Sequence, residues 1–123
     1  MSSQDDDTCT LFHNPGCSKS CAAKALLEER GVSFKVFHYL EEPLTEEELE
    51  RVMRCLGLSK ARPMMRQNEK IYGELGLDEL QEDEDLIRAM TVNRVLIERP
   101  ILVRGDRAVI GRPPERVLEL LDG

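Results

Sequence analysis

Residues 8–31 read TCTLFHNPGCSKSCAAKALLEERG, and the change of period within this stretch decides the fold. From Thr8 to His13 the side chains alternate, with Cys9, Leu11 and His13 on one face of a strand and Thr10 and Phe12 on the other. Asn14-Pro15-Gly16 is a turn signal. From Ser18 to Arg30 the pattern becomes helical, with Cys21, Ala22, Ala25 and Leu26 as the expected inward stripe and Gly31 as the residue after the C-cap. A strand that runs through a tight turn into a helix opens a β-α-β unit, and Val32–Phe37 supplies its second strand.

Beyond this unit, Thr45 starts the clearest helix. Glu48 completes a capping box with it, and Leu44 and Leu49 occupy the hydrophobic-staple positions. Leu49, Val52, Met53 and Leu56 form its apolar stripe, which Gly57 ends. Residues 59–82 are less regular, and Leu86, Ile87 and Met90 mark another short helix. Ile101-Leu102-Val103 is a continuous apolar run, as in a strand covered on both faces. Gly105-Asp106 is a two-residue hairpin signal, and Ala108–Ile110 returns. Pro113 or Pro114 opens a last helix with Val117, Leu118 and Leu121 inward. The expected order is β-α-β, a helical block, then β-β-α, an α/β fold. Residues 1–7 read as a disordered acidic tail and 8–123 as a single domain.

The chain has 123 residues, enough for one domain with one core. It is 41% hydrophobic and 33% charged, an ordinary globular balance, and no apolar run approaches the roughly 20 residues that span a bilayer. The opening MSSQDDD has neither the positive region nor the apolar run of a secretory signal, so a cytoplasmic protein with no membrane partner is expected. A net charge of −7 argues against nucleic-acid binding but not against a small anion held by local arginines.

In such a compartment Cys9, Cys17, Cys21 and Cys55 are expected to be reduced thiols, and their spacing is wrong for a zinc ribbon, so no metal is expected. Cys9 and Cys55 sit within apolar patterns and read as packing. Cys17 is different, because it lies where a turn ends and a helix begins. Unpaired backbone N–H groups and the positive end of the helix dipole both favour a thiolate and suit an approaching oxyanion. His13 ends the strand four residues earlier and is a candidate to tune that thiolate by charge or hydrogen bonding. Cys21 follows Cys17 by one helical turn, within disulfide reach, and is either a resolving thiol or a helix-packing residue. Arg62, Arg99 and Arg112 each precede a proline and Arg66 lies in the irregular block; several guanidinium forks are what a tetrahedral oxyanion needs.

These residues resemble a known family. His13-Asn14-Pro15-x-Cys17-Ser18-Lys19-Ser20 is similar to the active-site segment of the glutaredoxin-coupled (ArsC-like) arsenate reductases. Further matches are His38-Tyr39-Leu40, Arg62-x₃-Arg66-x-Asn68, Tyr72-x₂-Leu75-Gly76-Leu77, Arg99-Pro100-Ile101 and Gly111-Arg112-Pro113. They run from about Thr10 to Leu121 in the family's order. The resemblance implies a thioredoxin-like mixed sheet with helices on both faces and a helical insertion. It implies reduction of arsenate to arsenite with glutathione as co-substrate, glutaredoxin as partner and no bound cofactor. Carried over by position, Cys17 is the nucleophile, His13 tunes it, Ser20 hydrogen-bonds near the sulfur, and Arg66, Arg99 and Arg112 bind the oxyanion. Pro100 takes the position before the third strand where this fold often holds a cis proline. One departure stands out: the family usually has a basic residue at the position of Cys21.

Two other functions share the fold. A redox-sensing transcription regulator that binds RNA polymerase resembles C-x-x-C at the strand-helix turn, whereas position 20 here is Ser. A thiol oxidoreductase acting on glutathionylated proteins would have less use for three arginines.

Overall fold

The computed structural model describes residues 9–121, so the acidic segment 1–7 lies outside the described residues. Four short strands build the sheet: β1 Cys9–Phe12, β2 Phe34–Phe37, β3 Ile101–Arg104 and β4 Arg107–Ile110. Their order is β2-β1-β3-β4, with β1 parallel to β2 and antiparallel to β3, and β3 antiparallel to β4. Helix α1 (Ser18–Glu29) makes the crossover between the two parallel strands. The insertion between β2 and β3 carries α2 (Glu46–Cys55), α3 (Lys70–Glu74) and α4 (Asp83–Val92), joined by single 3₁₀ turns. This is the mixed sheet with a helical insertion that the motifs implied.

Strand alternation divides the core between the two faces of the sheet. Cys9, Leu11, Leu102 and Val109 pack under α1 and the C-terminal segment, against Ala23, Leu27, Val117 and Leu120. Phe12, Ile101 and Val103 face the other way, into the insertion, where Leu49, Val52, Leu86 and Met90 meet them. Leu11 and Leu27 are fully buried, and truncating either to Ala would cost ~2–5 kcal/mol. The capping box at Thr45 is present: Thr45 Oγ1 accepts from the Glu48 N–H and the Glu48 carboxylate accepts from the Thr45 N–H. Gly105 starts the β3–β4 hairpin at φ 61°, a conformation that other residues rarely adopt.

Two helical faces differ from the sequence pattern. In α1 the inward residues are Ser20, Ala23 and Leu27, whereas Cys21, Ala22 and Ala25 are exposed and Leu26 is half-buried. The true stripe begins with a buried serine, and a buried hydroxyl is invisible to an apolar count. The packing alternative for Cys21 is thereby overturned. The C-terminal segment Pro114–Leu120 is a 3₁₀ helix, which returns to the same face every third residue. It therefore buries Val117 and Leu120, while Leu118 and Leu121 stay half-buried.

Gly111 fixes how this segment meets β3. A Cβ there would lie 2.9 Å from Pro100 Cγ and 3.0 Å from Val117 Cγ1, so a larger residue cannot fit without displacement. The Gly111 N–H donates to the Pro100 carbonyl at 2.8 Å, which brings the Arg99-Pro100 and Arg112-Pro113 pairs side by side. Both X-Pro peptides are cis. Among the described residues no helix is long and apolar enough to cross a membrane.

Candidate active site

The loop between β1 and α1 holds itself in place through Asn14. Its carbonyl accepts from the Cys17 N–H at 3.0 Å, its Oδ1 accepts from the Gly16 N–H at 2.9 Å, and its own N–H donates to Ser20 Oγ at 3.0 Å. The Ser20 hydroxyl also meets His13 Nδ1 at 2.7 Å. Because that hydroxyl already accepts from Asn14, its proton is available to Nδ1, an arrangement that suits a neutral imidazole. Burial, then Lys24 and His38, push the His13 pKa down, which agrees. His13 is thus tied to the loop through Ser20.

Cys17 is the N-cap of α1, with extended φ and ψ of −113° and 123°, and it is 9% exposed. Burial alone would push its thiol up. The backbone N–H groups of Ser20 and Lys19, which face the sulfur, and the Arg99 guanidinium beside it more than offset this, and the net direction is down. The helix N-terminal donors are what the position of Cys17 suggested, and the Arg99 cation adds to them.

Arg99 gives the site its receptive character. It faces the Cys17 sulfur. Its Nε and Nη1 are buried with no hydrogen-bond partner, and they are the sole side-chain nitrogen or oxygen atoms in that condition among the described residues. Buried guanidinium donors left unpaired are costly, so they mark a place built to receive an acceptor. The other arginines stand in different relations to it. Arg112 lies exposed at the rim, its Nη1 donating to the Arg99 carbonyl at 3.4 Å. Arg66 forms an ion pair with Glu69 and lies within electrostatic reach of Tyr39. Arg62 points elsewhere, donating to the carbonyls of Leu77, at 3.1 Å, and Leu80, and to the Tyr72 hydroxyl.

Tyr39 belongs to this site, although the sequence singled it out only as part of a motif. It is 1% exposed and lies within electrostatic reach of the Asn14 side chain, Arg99, Cys17 and Arg66. Burial pushes its pKa up despite Arg99, so its hydroxyl stays protonated and able to donate. The strand pairing explains its arrival: β2 lies parallel to β1, so the residues after Phe37 come out beside the Cys17 loop. Cys21, by contrast, is on the open side of α1, its Sγ donating to the Pro15 carbonyl at 3.4 Å. Among the described residues no disulfide joins the cysteines, and no group of three or more His, Cys, Asp or Glu residues gathers where it could hold a metal ion.

A thioredoxin-like sheet carrying a cysteine at the N-terminus of its first helix, with an arginine against the sulfur, defines a class of thiol-dependent proteins. The chain belongs to the ArsC family, whose model matches residues 12–120. It is 46% identical over 112 residues to an arsenate reductase of Neisseria meningitidis serogroup A, covering 90% of this chain and 96% of that protein. It is 38% identical over 113 residues to an arsenate reductase of Escherichia coli K12, covering 91% and 79% respectively. The solved structure of an arsenate reductase from Vibrio cholerae matches with a TM-score of 0.88 at 46% identity, over 91% of this chain and 96% of that one.

Proposed function

We propose that this chain reduces arsenate to arsenite, with Cys17 as nucleophile and glutathione and glutaredoxin as the external source of electrons. The observation that carries the proposal is the pairing of Cys17, its thiol favoured as thiolate, with the buried unpartnered donors of Arg99. The names borne by the relatives in Neisseria and Escherichia point the same way.

In the proposed reaction arsenate seats its oxygens on Arg99, with Arg112 closing from the rim and Arg66 turning from Glu69 to share the charge. The Ser20 and Lys19 N–H groups hold the Cys17 thiolate within reach of the arsenic. Attack forms the S–As bond, and an arsenate oxygen leaves as water after protonation. The protonated Tyr39 hydroxyl is placed to donate to that oxygen or to its neighbours. A positioned guanidinium donor is worth about 1.5–3 kcal/mol to an anion, more as charge builds in a site shielded from water. A thiol then attacks the cysteine sulfur, the S–As electron pair stays with arsenic, and arsenite departs. Glutathione supplies that thiol and glutaredoxin removes the glutathionyl group, an economy suited to the cytoplasm. No step needs a metal or organic cofactor.

The regulator reading lacks its second thiol, because Ser20 is buried and engaged with His13 and Asn14. The test of the enzyme reading is arsenate-dependent NADPH oxidation in an assay coupled through glutathione, glutaredoxin and glutathione reductase. Wild type is expected to turn over and Cys17→Ser to fall to background. Full activity in Cys17→Ser, or none in wild type, contradicts the proposal.

A further inference from the structure

Cys21 plays no part in binding the oxyanion, yet three observations attach it to the same chemistry. Its N–H donates to the Cys17 carbonyl at 3.0 Å, so the two cysteines are one helical turn apart. One turn of α-helix separates Cα atoms by roughly 6 Å, inside the span of a disulfide. Helical side chains lean toward the N-terminus, and the Cys21 Sγ follows that lean to the Pro15 carbonyl, on the loop that ends at Cys17. The two thiols also differ in exposure: Cys17 is 9% exposed, whereas Cys21 is open to solvent. An external thiol must reach a sheltered sulfur behind a bound arsenic oxyanion. A thiol one helical turn away on the same chain needs no diffusional encounter, which raises its effective concentration over that of dissolved glutathione.

We propose that Cys21 is the resolving thiol of the cycle, and that the product of each turnover is a Cys17–Cys21 disulfide exposed on the open side of α1. This rests on the arsenate reading above. Cys17 first displaces one arsenate oxygen as water and forms a thiol adduct of arsenic(V). The Cys21 thiolate then attacks the Cys17 sulfur. An S–S bond forms, the S–As bond breaks, and its electron pair leaves with arsenic, which departs as arsenite, arsenic(III). The two thiols have together lost two electrons and two protons, and arsenic has gained the two electrons. External thiol, either two glutathione molecules in succession or one dithiol, then reduces the exposed disulfide through a mixed disulfide at Cys21. Cys21 thus takes the place given above to glutathione as the attacking thiol, and glutathione enters after arsenite has left, at the accessible sulfur.

The experiment uses the reduced full-length chain, freed of all added thiol and then mixed with excess arsenate. Arsenite release is measured together with the mass of the protein. Trypsin cuts after Lys19 and Lys24, so a bridge shows as peptides 1–19 and 20–24 cross-linked, and fragmentation between Cys9 and Cys17 within the first peptide assigns the bridged sulfur. The wild type is expected to release about one arsenite per chain, to lose two hydrogens and to yield the Cys17–Cys21 cross-link, a single internal turnover. Cys21→Ser is expected to release none under these conditions, while Cys55→Ser matches the wild type. Cys21 is exposed, so its replacement leaves the core untouched. The proposal is overturned if wild type releases no arsenite without added thiol yet turns over with glutathione and glutaredoxin, which leaves the arsenate reading standing. A bridge to Cys9 or Cys55, or between chains, overturns it as well. Silence under both conditions removes both proposals together.

Discussion

Two Arg-Pro pairs occupy different regions of this molecule and have opposite fates. Arg62-Pro63 lies in the helical insertion, where the Arg62 guanidinium is taken up by the Leu77 and Leu80 carbonyls and the Tyr72 hydroxyl. Arg99-Pro100 lies immediately before β3, and the Arg99 guanidinium faces Cys17 with Nε and Nη1 buried and unpartnered. Arg94 repeats the first pattern, donating to the Tyr39 carbonyl at 3.1 Å and to that of Glu42. A guanidinium whose donors are filled by carbonyls is a brace. One with two buried, unpartnered nitrogens beside a cysteine sulfur is, in the proposed reading, a receptor. The local sequence is the same; the partners supplied by the fold make the difference.

That contrast can be broken by exchanging the effects of the two residues. Arg99→Ala should weaken arsenate or sulfate binding tenfold or more, since a charged hydrogen bond is worth about 1.5–3 kcal/mol. It should also move the Cys17 titration to higher pH, because a cation that favoured the thiolate is gone. Competition of the anion against alkylation of Cys17 reads both. Arg62→Ala should do neither. It strips the Leu80 carbonyl of its donor, while the Leu77 carbonyl keeps the Leu80 N–H and the Tyr72 hydroxyl keeps Asp78, and urea unfolding should show a loss of about 1–3 kcal/mol with the thiol titration unmoved. If Arg62→Ala instead weakened the anion and Arg99→Ala only destabilised the chain, the two roles would be assigned backwards.

Smaller effects sharpen the boundary of the receptor. Ser20→Ala removes the hydroxyl that links His13 to the Asn14 N–H and leaves the backbone donors free to shift. A cost of about 1 kcal/mol and a rise in the Cys17 titration are expected, measured by urea unfolding and by alkylation against pH. Arg112→Ala, at the exposed rim, should weaken the anion only a few-fold, since exposed charges contribute about 0–1 kcal/mol.

What the sequence made legible follows the same division. The β1-turn-α1 unit, the Thr45 capping box and the Gly105-Asp106 hairpin are local devices, each written in a few adjacent residues, and each is present. Cys17 could be singled out because a helix N-terminus is also local. The inward face of α1 was misread because its first member is a serine engaged with partners six and seven residues away. Arg62 and Arg99 looked alike because the carbonyls that claim Arg62 lie 15 and 18 residues away along the chain. Tyr39 stands out in the sequence only as part of a motif for a similar reason: only the pairing of β2 with β1 brings it to the Cys17 loop.

The direct test of the whole account is the rate of Cys17 alkylation followed against pH, resolved from the other cysteines by peptide fragment masses that separate Cys17 from Cys9. Thiolate is the reactive form, so a lowered pKa moves the curve toward lower pH. The wild-type midpoint is expected below that of a free cysteine peptide measured alongside, and Arg99→Ala is expected to move it upward. A wild-type midpoint at or above the free peptide would mean that the helix N–H groups and Arg99 do not hold a thiolate, and the account would be wrong at its centre.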